Sequence, residues 1–417
     1  MIVKSSTVSG CVAASPSKSM THRVLILAAL AKGRSIIRNP LTADDTEATA
    51  NMLRKLNISV VQSGAWVVDG GDLHKPTEAL HCGESGTTLR FMAAACALID
   101  GECRLTGGPS LSSRPIGPLL NALAQLGVGS ESRDGFPPLI IRGTGQIRGG
   151  NTSLPGNISS QFVSALLTVA PLADAPVEIT LMTRLESRPY VAMTVDAMRA
   201  FGVDVEHSLD MTRLTASVKQ YKAATVTVEG DWSSAAYPLA AGALAGEATV
   251  KGLNPMSSQA DKAILPLLGE MGAKIYVSGD TVKVTASKIG GIEADLSDCP
   301  DLFPIVSALC AAAEGESHLT GLARLRLKES NRVVAMTEGL RRMGAKVNYN
   351  EDSVKIKGRP LHGAAVDPWG DHRIAMSLTV LALHAEGYTT IKNAGCVSKS
   401  YPGFWGDLVA LGGRITE

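Results

Sequence analysis

Leu340-Arg341-Arg342-Met343-Gly344, followed by Ala345-Lys346-Val347, is one copy of a pattern that runs the length of the chain. Two apolar residues three apart, then Gly, then an alternating run, read as a helix end, its cap and a strand. The same order recurs at Leu53-Arg54-Lys55-Leu56-Asn57, Leu123-Ala124-Gln125-Leu126-Gly127, Met198-Arg199-Ala200-Phe201-Gly202, Leu268-Gly269-Glu270-Met271-Gly272 and Leu408-Val409-Ala410-Leu411-Gly412. Successive caps fall 68 to 75 residues apart. Asn57 stands in for glycine, since Asn also tolerates the left-handed conformation. Helix–Gly–strand joints are common in α/β proteins, but six at near-constant spacing indicate a repeat.

A second helix recurs once per repeat. It begins with small polar or charged residues, at Ser17, Ser85, Ser159, Ser233, Asp301 and Asp371, and continues rich in Ala and Leu. Five copies end near Gly33, Gly101, Gly246, Gly315 and Gly387, and the third ends near residues 173–176. A strand-like run follows, as in Ser35-Ile36-Ile37 and Thr249-Val250. Each repeat is therefore predicted to read helix, strand, helix, strand, strand, with a further strand closing it. Repeats of this length exceed the roughly 20–50 residues of solenoids. A chain of 417 residues suits two globular domains of three repeats each.

Composition narrows the function. Lys plus Arg number 40 against 39 Asp plus Glu, for a net charge of +1, whereas nucleic-acid binders carry a basic excess. Aromatic residues make up 4%, too few for base-stacking platforms. The seven cysteines (Cys11, Cys82, Cys96, Cys103, Cys299, Cys310, Cys396) include no Cys-x-x-Cys pair, so neither a disulfide framework nor zinc is expected, and a cytoplasmic setting fits. Residues 1–20 hold no apolar core of signal-peptide length, and the apolar runs 24–31 and 91–99 are too short to cross a bilayer. No metal is expected from Asp371-His372, because adjacent helical residues face different ways. Gly143-Thr144-Gly145 with Gly149 lacks the dinucleotide-loop spacing and reads as a hairpin turn. The stretch 83–90 lacks the lysine of a phosphate loop.

The unusual polar residues gather at the starts of the Ala/Leu-rich helices. Ser, Thr and Asp there are ordinary caps, and Ser233-Ser234 reads as no more than that. Three starts also carry cations: Lys18 with Arg23, Arg90, and Arg373. Helix dipoles disfavour cations at N-termini unless an anion lies in front of them. Arg114, Lys328, Arg332 and Lys399 add cations in what read as connecting segments. A neutral chain with clustered cations points to small phosphorylated or carboxylated substrates.

At these same motifs the chain resembles the EPSP synthases over nearly its whole length. The resemblance is carried by Ser17-Lys18-Ser19-Met20-Thr21-His22-Arg23, Ser85-Gly86-Thr87-Thr88-Leu89-Arg90, Ser113-Arg114-Pro115-Ile116-Gly117, Ser159-Ser160-Gln161-Phe162, Ser187-Arg188-Pro189-Tyr190, Pro300-Asp301, Lys328-Glu329-Ser330-Asn331-Arg332, Asp371-His372-Arg373-Ile374-Ala375-Met376 and Ser398-Lys399-Ser400-Tyr401-Pro402. It implies an inside-out α/β barrel in each of two domains, each of three βαβαββ units, with the active site in the interdomain cleft. The domains implied are 15–229, on the shikimate 3-phosphate side, and 1–14 plus 230–417, on the phosphoenolpyruvate side.

The resemblance also implies the chemistry, a step of the shikimate pathway toward chorismate and the aromatic amino acids. The 5-hydroxyl of shikimate 3-phosphate adds to the enol carbon of phosphoenolpyruvate, and phosphate leaves from a tetrahedral intermediate. Carried over by motif, the shikimate 3-phosphate contacts fall on Lys18, Ser19, Arg23, Ser159, Ser160, Gln161, Ser187, Asp301 and Lys328. Those to phosphoenolpyruvate fall on Lys18, Gly86, Arg114, Gln161, Arg332, Arg373 and Lys399. Asp301 is the implied base at the hydroxyl and Glu329 the proton donor and acceptor at the methylene, with Lys18 completing the catalytic set. No cofactor, metal, nucleic acid or membrane is implied, and the expected form is a monomer. Glyphosate competes with phosphoenolpyruvate in members with Gly at the position of Gly86. The chain departs from common patterns at Glu84, Asn331 and Arg324, and no contact is carried over to 84 or 324.

Three rivals differ at identifiable residues. The sister transferase acting on UDP-N-acetylglucosamine carries a reactive Cys where this chain has Pro109, and a Lys-Asn pair where it has Lys18-Ser19. A binding module with a dead site would have no need of both Asp301 and Glu329. An RNA-end cyclase of similar repeats fits neither the neutral charge nor the scarcity of aromatics.

Overall fold

The computed structural model describes residues 1–417. All six caps read from the sequence adopt positive φ: Asn57 at 68°, Gly127 at 88°, Gly202 at 82°, Gly272 at 90°, Gly344 at 100° and Gly412 at 97°. Each closes its helix the same way. In the fifth repeat the amide after the cap, on Ala345, donates to the Leu340 carbonyl, and the Gly344 amide to that of Arg341. Ile58 to Leu53, Val128 to Leu123, Val203 to Met198, Ala273 to Leu268 and Gly413 to Leu408 repeat the long bond. These bonds satisfy carbonyls left over at the helix end and reverse the chain into the next strand.

The Ala/Leu-rich helices are Lys18–Leu30, Gly86–Ala95, Ser160–Val169, Trp232–Ala245, Phe303–Ala312 and His372–His384. They are apolar on all sides and buried on all sides, as Phe303 to Ala311 and His372 to Leu383 are without a break. The capped helices are amphipathic and lie outside them. Arg332–Arg342, for example, buries Val333, Met336 and Leu340 while Arg341 and Arg342 reach solvent.

Six four-stranded sheets share one topology. In the second repeat Leu80–His81 runs parallel to Asp100–Thr106, which pairs antiparallel with Phe136–Thr144, which pairs in turn with Gly129–Arg133. The order is βαβαββ in the second, third and fifth repeats, the mixed α/β architecture expected, and the first, fourth and sixth complete the same sheet with a strand from elsewhere in the chain. The chain forms two compact units, Met1–Ser17 with Glu229–Glu417, and Lys18–Val228. The N-terminal segment serves the first of these twice. Ile2–Lys4 is a central strand of the sixth repeat's sheet, and Cys11–Ala13 the parallel edge of the fourth's. In the second unit Thr225–Thr227 supplies the parallel edge of the first repeat's sheet.

Two expectations are corrected. The fourth inner helix is capped by Asp231, not Ser233; Asp231 Oδ1 accepts from the Ser234 amide at 2.7 Å, which leaves the Ser233 hydroxyl available for other work. The glycines of 143–149 do not make a hairpin. Gly143 lies within the strand Phe136–Thr144, where a Cβ would strike the Ile99 carbonyl, and the chain then crosses to Gly150–Leu154 in a different sheet.

The shared cap geometry makes a direct test. Gly344→Ala would place a Cβ at φ of 100°, 3.2 Å from the His362 ring and 3.3 Å from the Pro360 carbonyl. It should destabilise the chain by about 1–2 kcal/mol, the cost of the left-handed region for a side chain. Urea denaturation should show a lowered midpoint with an unchanged slope.

Candidate functional site

In the unit formed by Met1–Ser17 and Glu229–Glu417 the candidate residues meet around Arg332. This side chain is 1% exposed and opens the helix Arg332–Arg342, where the sequence reading expected a connecting segment. Its guanidinium is divided among three carboxylates: Nε to Asp371 Oδ2 at 2.8 Å, Nη1 to Asp301 Oδ1 at 2.7 Å and Nη2 to Glu329 Oε2 at 2.7 Å. Burial would lower its pKa, but Asp371, Glu329 and Asp301 outweigh burial and raise it above the ordinary arginine value. Asp371 caps the sixth inner helix, its Oδ1 accepting from the Arg373 amide at 2.9 Å. The cap thus holds the helix start and the buried cation together.

Asp301 lies in the 3₁₀ turn Pro300–Leu302 that leads into the fifth inner helix. Besides Arg332 it receives Arg373 Nη2 at 2.9 Å, and Lys328 Nζ stands 3.5 Å away. Burial alone would raise the Asp301 carboxyl, but Arg373, Lys328 and Arg332 overcome this and hold it well below the usual range. Burial pushes Lys328 down to about 8 against the pull of Asp301. Its side chain keeps 25% exposure, so water still helps to solvate the ammonium. Arg373 Nη1 donates to the Ser233 hydroxyl at 2.5 Å, and Lys399 Nζ to the Gly370 carbonyl at 3.0 Å, one residue before the Asp371 cap. Tyr237 lies buried beside them, its phenol pushed up to about 12 by burial despite Arg373 and Arg332.

The unit Lys18–Val228 brings together the starts of its own three inner helices. Lys18 Nζ pairs with Asp45 Oδ2 at 2.9 Å. Arg23 is buried. It donates to Thr194 Oγ1 at 2.8 Å and to the Tyr190 carbonyl at 2.9 Å, tying the first inner helix to the helix Arg188–Ala200. Burial pushes its guanidinium down to about 10. Ser187 caps that helix with φ of 54° and ψ of 41°, a left-handed residue that is not glycine and is only 3% exposed. Such strain is retained where the surroundings impose it, often at sites.

Gly86, Arg90, Arg114 and Gln161 form the rest. Arg90 Nη1 donates to Gln161 Oε1 at 3.1 Å, and Gln161 Nε2 to Thr87 Oγ1 at 3.0 Å. Ser159 caps the third inner helix through the Gln161 amide, and Ser160 follows, buried. Gly86 leaves room for two guanidinium groups: an added Cβ would lie 2.6 Å from Arg114 Nη1 and closer still to Arg90. Glu84 Oε2 accepts from the Leu111 amide at 2.7 Å, which fixes the turn that leads to Arg114. That is a structural task for a residue left without one in the sequence reading.

Of the residues named from the sequence, Asp301, Lys328, Glu329, Arg332 and Arg373 lie together in one unit, and the helix-start residues of the other unit lie together within that unit. Asp45 and Asp261 were missed. Asp45 sits in an ordinary acidic helix start, and Asp261, 2% exposed, in a stretch with no motif. Asp371 was seen as a cap but not as the counter-ion of Arg332. Ser233 was set aside as a cap, although its hydroxyl receives Arg373.

Residues 2–408 match the family model of EPSP synthase (3-phosphoshikimate 1-carboxyvinyltransferase). The chain is 42% identical to the 3-phosphoshikimate 1-carboxyvinyltransferase of Methanocorpusculum labreanum, over 100% of this chain and 99% of that one. It is 43% identical to that of Dehalococcoides mccartyi, over 98% and 97%. A solved EPSP synthase from Acinetobacter baumannii superposes with a TM-score of 0.82 at 27% identity, covering 98% of this chain and 97% of the other.

The cluster around Arg332 has a measurable signature. Arg332→Leu leaves Asp371, Asp301 and Glu329 without their shared cation and should cost about 3–5 kcal/mol, the scale of breaking a buried pair. Asp301 titrates lower in the folded chain than in the unfolded one, so it contributes stability at neutral pH that is lost as pH falls below about 4. Urea titrations from pH 7 to 3 should show a steep acid decline in the parent and a shallower one in the variant.

Proposed function

The chain belongs to the EPSP synthase family, and from that premise we propose how its two residue clusters divide the family's reaction. The protein is an enolpyruvyl transferase: it moves the enolpyruvyl group of phosphoenolpyruvate to the 5-hydroxyl of shikimate 3-phosphate and releases phosphate. The observation that carries the assignment of roles is Asp301, a carboxylate kept ionised between Arg332, Arg373 and Lys328 at an inner helix start.

In this reading Asp301 takes the proton of the 5-hydroxyl as its oxygen bonds to C2 of phosphoenolpyruvate. Glu329 gives a proton to the methylene carbon. The resulting tetrahedral intermediate carries a methyl group and the phosphate on one carbon. Glu329 then takes a proton back from the methyl, the double bond re-forms and phosphate departs. Lys18, Arg114, Arg332, Arg373 and Lys399 neutralise the phosphate and carboxylate of phosphoenolpyruvate, with Gly86 and Gln161 beside them. Ser159, Ser160, Gln161, Ser187, Ser19, Arg23, Lys18 and Lys328 hold shikimate 3-phosphate.

The electrostatics favour this order of events. Three cations hold Asp301 at low basicity. An incoming carboxylate or phosphate competes for the same guanidinium groups, which weakens their hold on Asp301 and raises its proton affinity when a base is needed. We read the active form as a monomer. We place it in the cytoplasm, which fits seven unpaired cysteines. No helix is long and apolar enough to cross a membrane.

Phosphate release on mixing the protein with both substrates tests the activity. Asp301→Asn keeps shape but loses the basic oxygen, and turnover should fall by roughly a hundredfold or more. Calorimetric affinity for shikimate 3-phosphate should change far less. Retained turnover would make Asp301 an ordinary helix-start carboxylate. Gly86→Ala has a separate readout. Its methyl crowds Arg114 and Arg90, so glyphosate inhibition should weaken relative to the parent, and equal inhibition would remove the role given to Gly86.

A further inference from the structure

Asp261 lies in the 3₁₀ turn Ala260–Ala263, 2% exposed, and no step above uses it. The Ser233 hydroxyl is hydrogen-bonded to its carboxylate. The same hydroxyl accepts from Arg373 Nη1 at 2.5 Å, while Arg373 Nη2 donates to Asp301 Oδ2 at 2.9 Å. One guanidinium therefore links two buried carboxylates, Asp301 directly and Asp261 through a serine. Ser233 has a single proton. Because its oxygen already accepts from Arg373, that proton is directed to Asp261. The carboxylate thereby fixes the hydroxyl rotor, and the rotor fixes one arm of the guanidinium.

We propose that Asp261 is a positioning residue for the transfer: through Ser233 it orients Arg373 against Asp301, and its negative charge keeps Asp301 basic enough to accept the substrate's hydroxyl proton. The proposal rests on the reading of Asp301 as the base. Asp301 shares the Arg373 guanidinium with Ser233, so its strength as a base depends on what else that guanidinium serves.

The charged and titratable groups facing Asp261 come from every neighbouring segment. Asp231 and Ser233 lie at the start of Trp232–Ala245, Cys299 and Asp301 at the turn Pro300–Leu302, and Arg373 on His372–His384. Along its own turn Lys262 sends its ammonium to the Pro255 carbonyl at 3.0 Å. Burial and then Asp301 push the Asp261 carboxyl up, with a lesser push from Asp231; Arg373 and Ser233 oppose them, and the result is about 6. The repulsion is mutual. With Asp261 ionised, Asp301 binds a proton more readily. Below about pH 6 Asp261 takes up a proton, that repulsion is lost and Asp301 becomes a weaker base. Turnover should therefore carry an acid limb near pH 6 that belongs to Asp261 and not to Asp301.

The test compares pH profiles of kcat for the full-length parent, Asp261→Asn, Asp261→Glu and Ser233→Ala. Both substrates carry phosphates that titrate near pH 6, so the readout is the difference between each variant and the parent. In Asp261→Asn the amide oxygen still accepts from Ser233 but the charge is gone. Its kcat should fall about tenfold, one pKa unit of base strength, with KM for both substrates within about twofold, and the limb should vanish. Asp261→Glu should restore the limb. Ser233→Ala removes a bond that lowers the Asp261 carboxyl, so there the limb should move to higher pH. Profiles parallel to the parent's in Asp261→Asn and Ser233→Ala would overturn the proposal, even if rates drop. Failure of the underlying reading looks different, since Asp301→Asn would then keep its turnover whatever the profiles show.

Discussion

A guanidinium with almost no access to water, shared among three carboxylates, is the interaction on which the rest of the C-terminal unit depends. Arg332 alone would be prohibitively costly to bury, and so would any of Asp301, Glu329 or Asp371. Together they neutralise one another while keeping a net negative charge, which Arg373 and Lys328 then offset. The arrangement ties three structural levels to one atom group. Asp371 is a helix cap, Asp301 sits in the turn entering another inner helix, and Glu329 lies in the segment before the outer helix that Arg332 opens. Displacing any of them disturbs both packing and charge.

The same constraint explains why reactive groups of opposite sign can sit so close without quenching chemistry. Arg332 and Arg373 each bond to more than one partner, so an arriving anion can take up one bond without stripping a carboxylate bare. A site built from single ion pairs would lack this graded response, because loss of its one partner leaves a whole uncompensated charge.

Much of the fold was legible in the sequence because its repeat is enforced by backbone geometry. Left-handed caps admit few residues, so Asn57 and five glycines mark six helix ends. All-apolar helices admit few polar residues, so the inner six stood out as well. Where a cap depends only on a side-chain oxygen the signal was weaker, and Asp231 was passed over for the serines beside it. Which strand pairs with which depended on contacts far apart in the chain, and the glycines of 143–149 carried no sign of their change of sheet. In the site, Asp301, Glu329, Arg332 and Arg373 were legible through family motifs. Lys18's partner Asp45 and Arg373's partner Ser233 were not, because a counter-ion is chosen by distance in space and any short acid or hydroxyl will serve.

The route of the chain bears on how the protein is made. Residues 18–228 carry all the strands of their own three sheets and are complete once the ribosome has passed Thr225–Thr227. The other unit is divided. Ile2–Lys4 emerges ahead of the intervening unit, yet its neighbours in the sheet are Tyr388–Ile391 and Arg414–Thr416, which emerge after it. During synthesis Ile2–Lys4 must wait, unpaired, until those strands are made, while the intervening unit has the opportunity to fold. Ile2–Lys4 has only three residues, and the lysine at its end is exposed. A strand this short and ending in a charge offers little edge for mispairing, which suits a segment that must remain available until its partner strands are made.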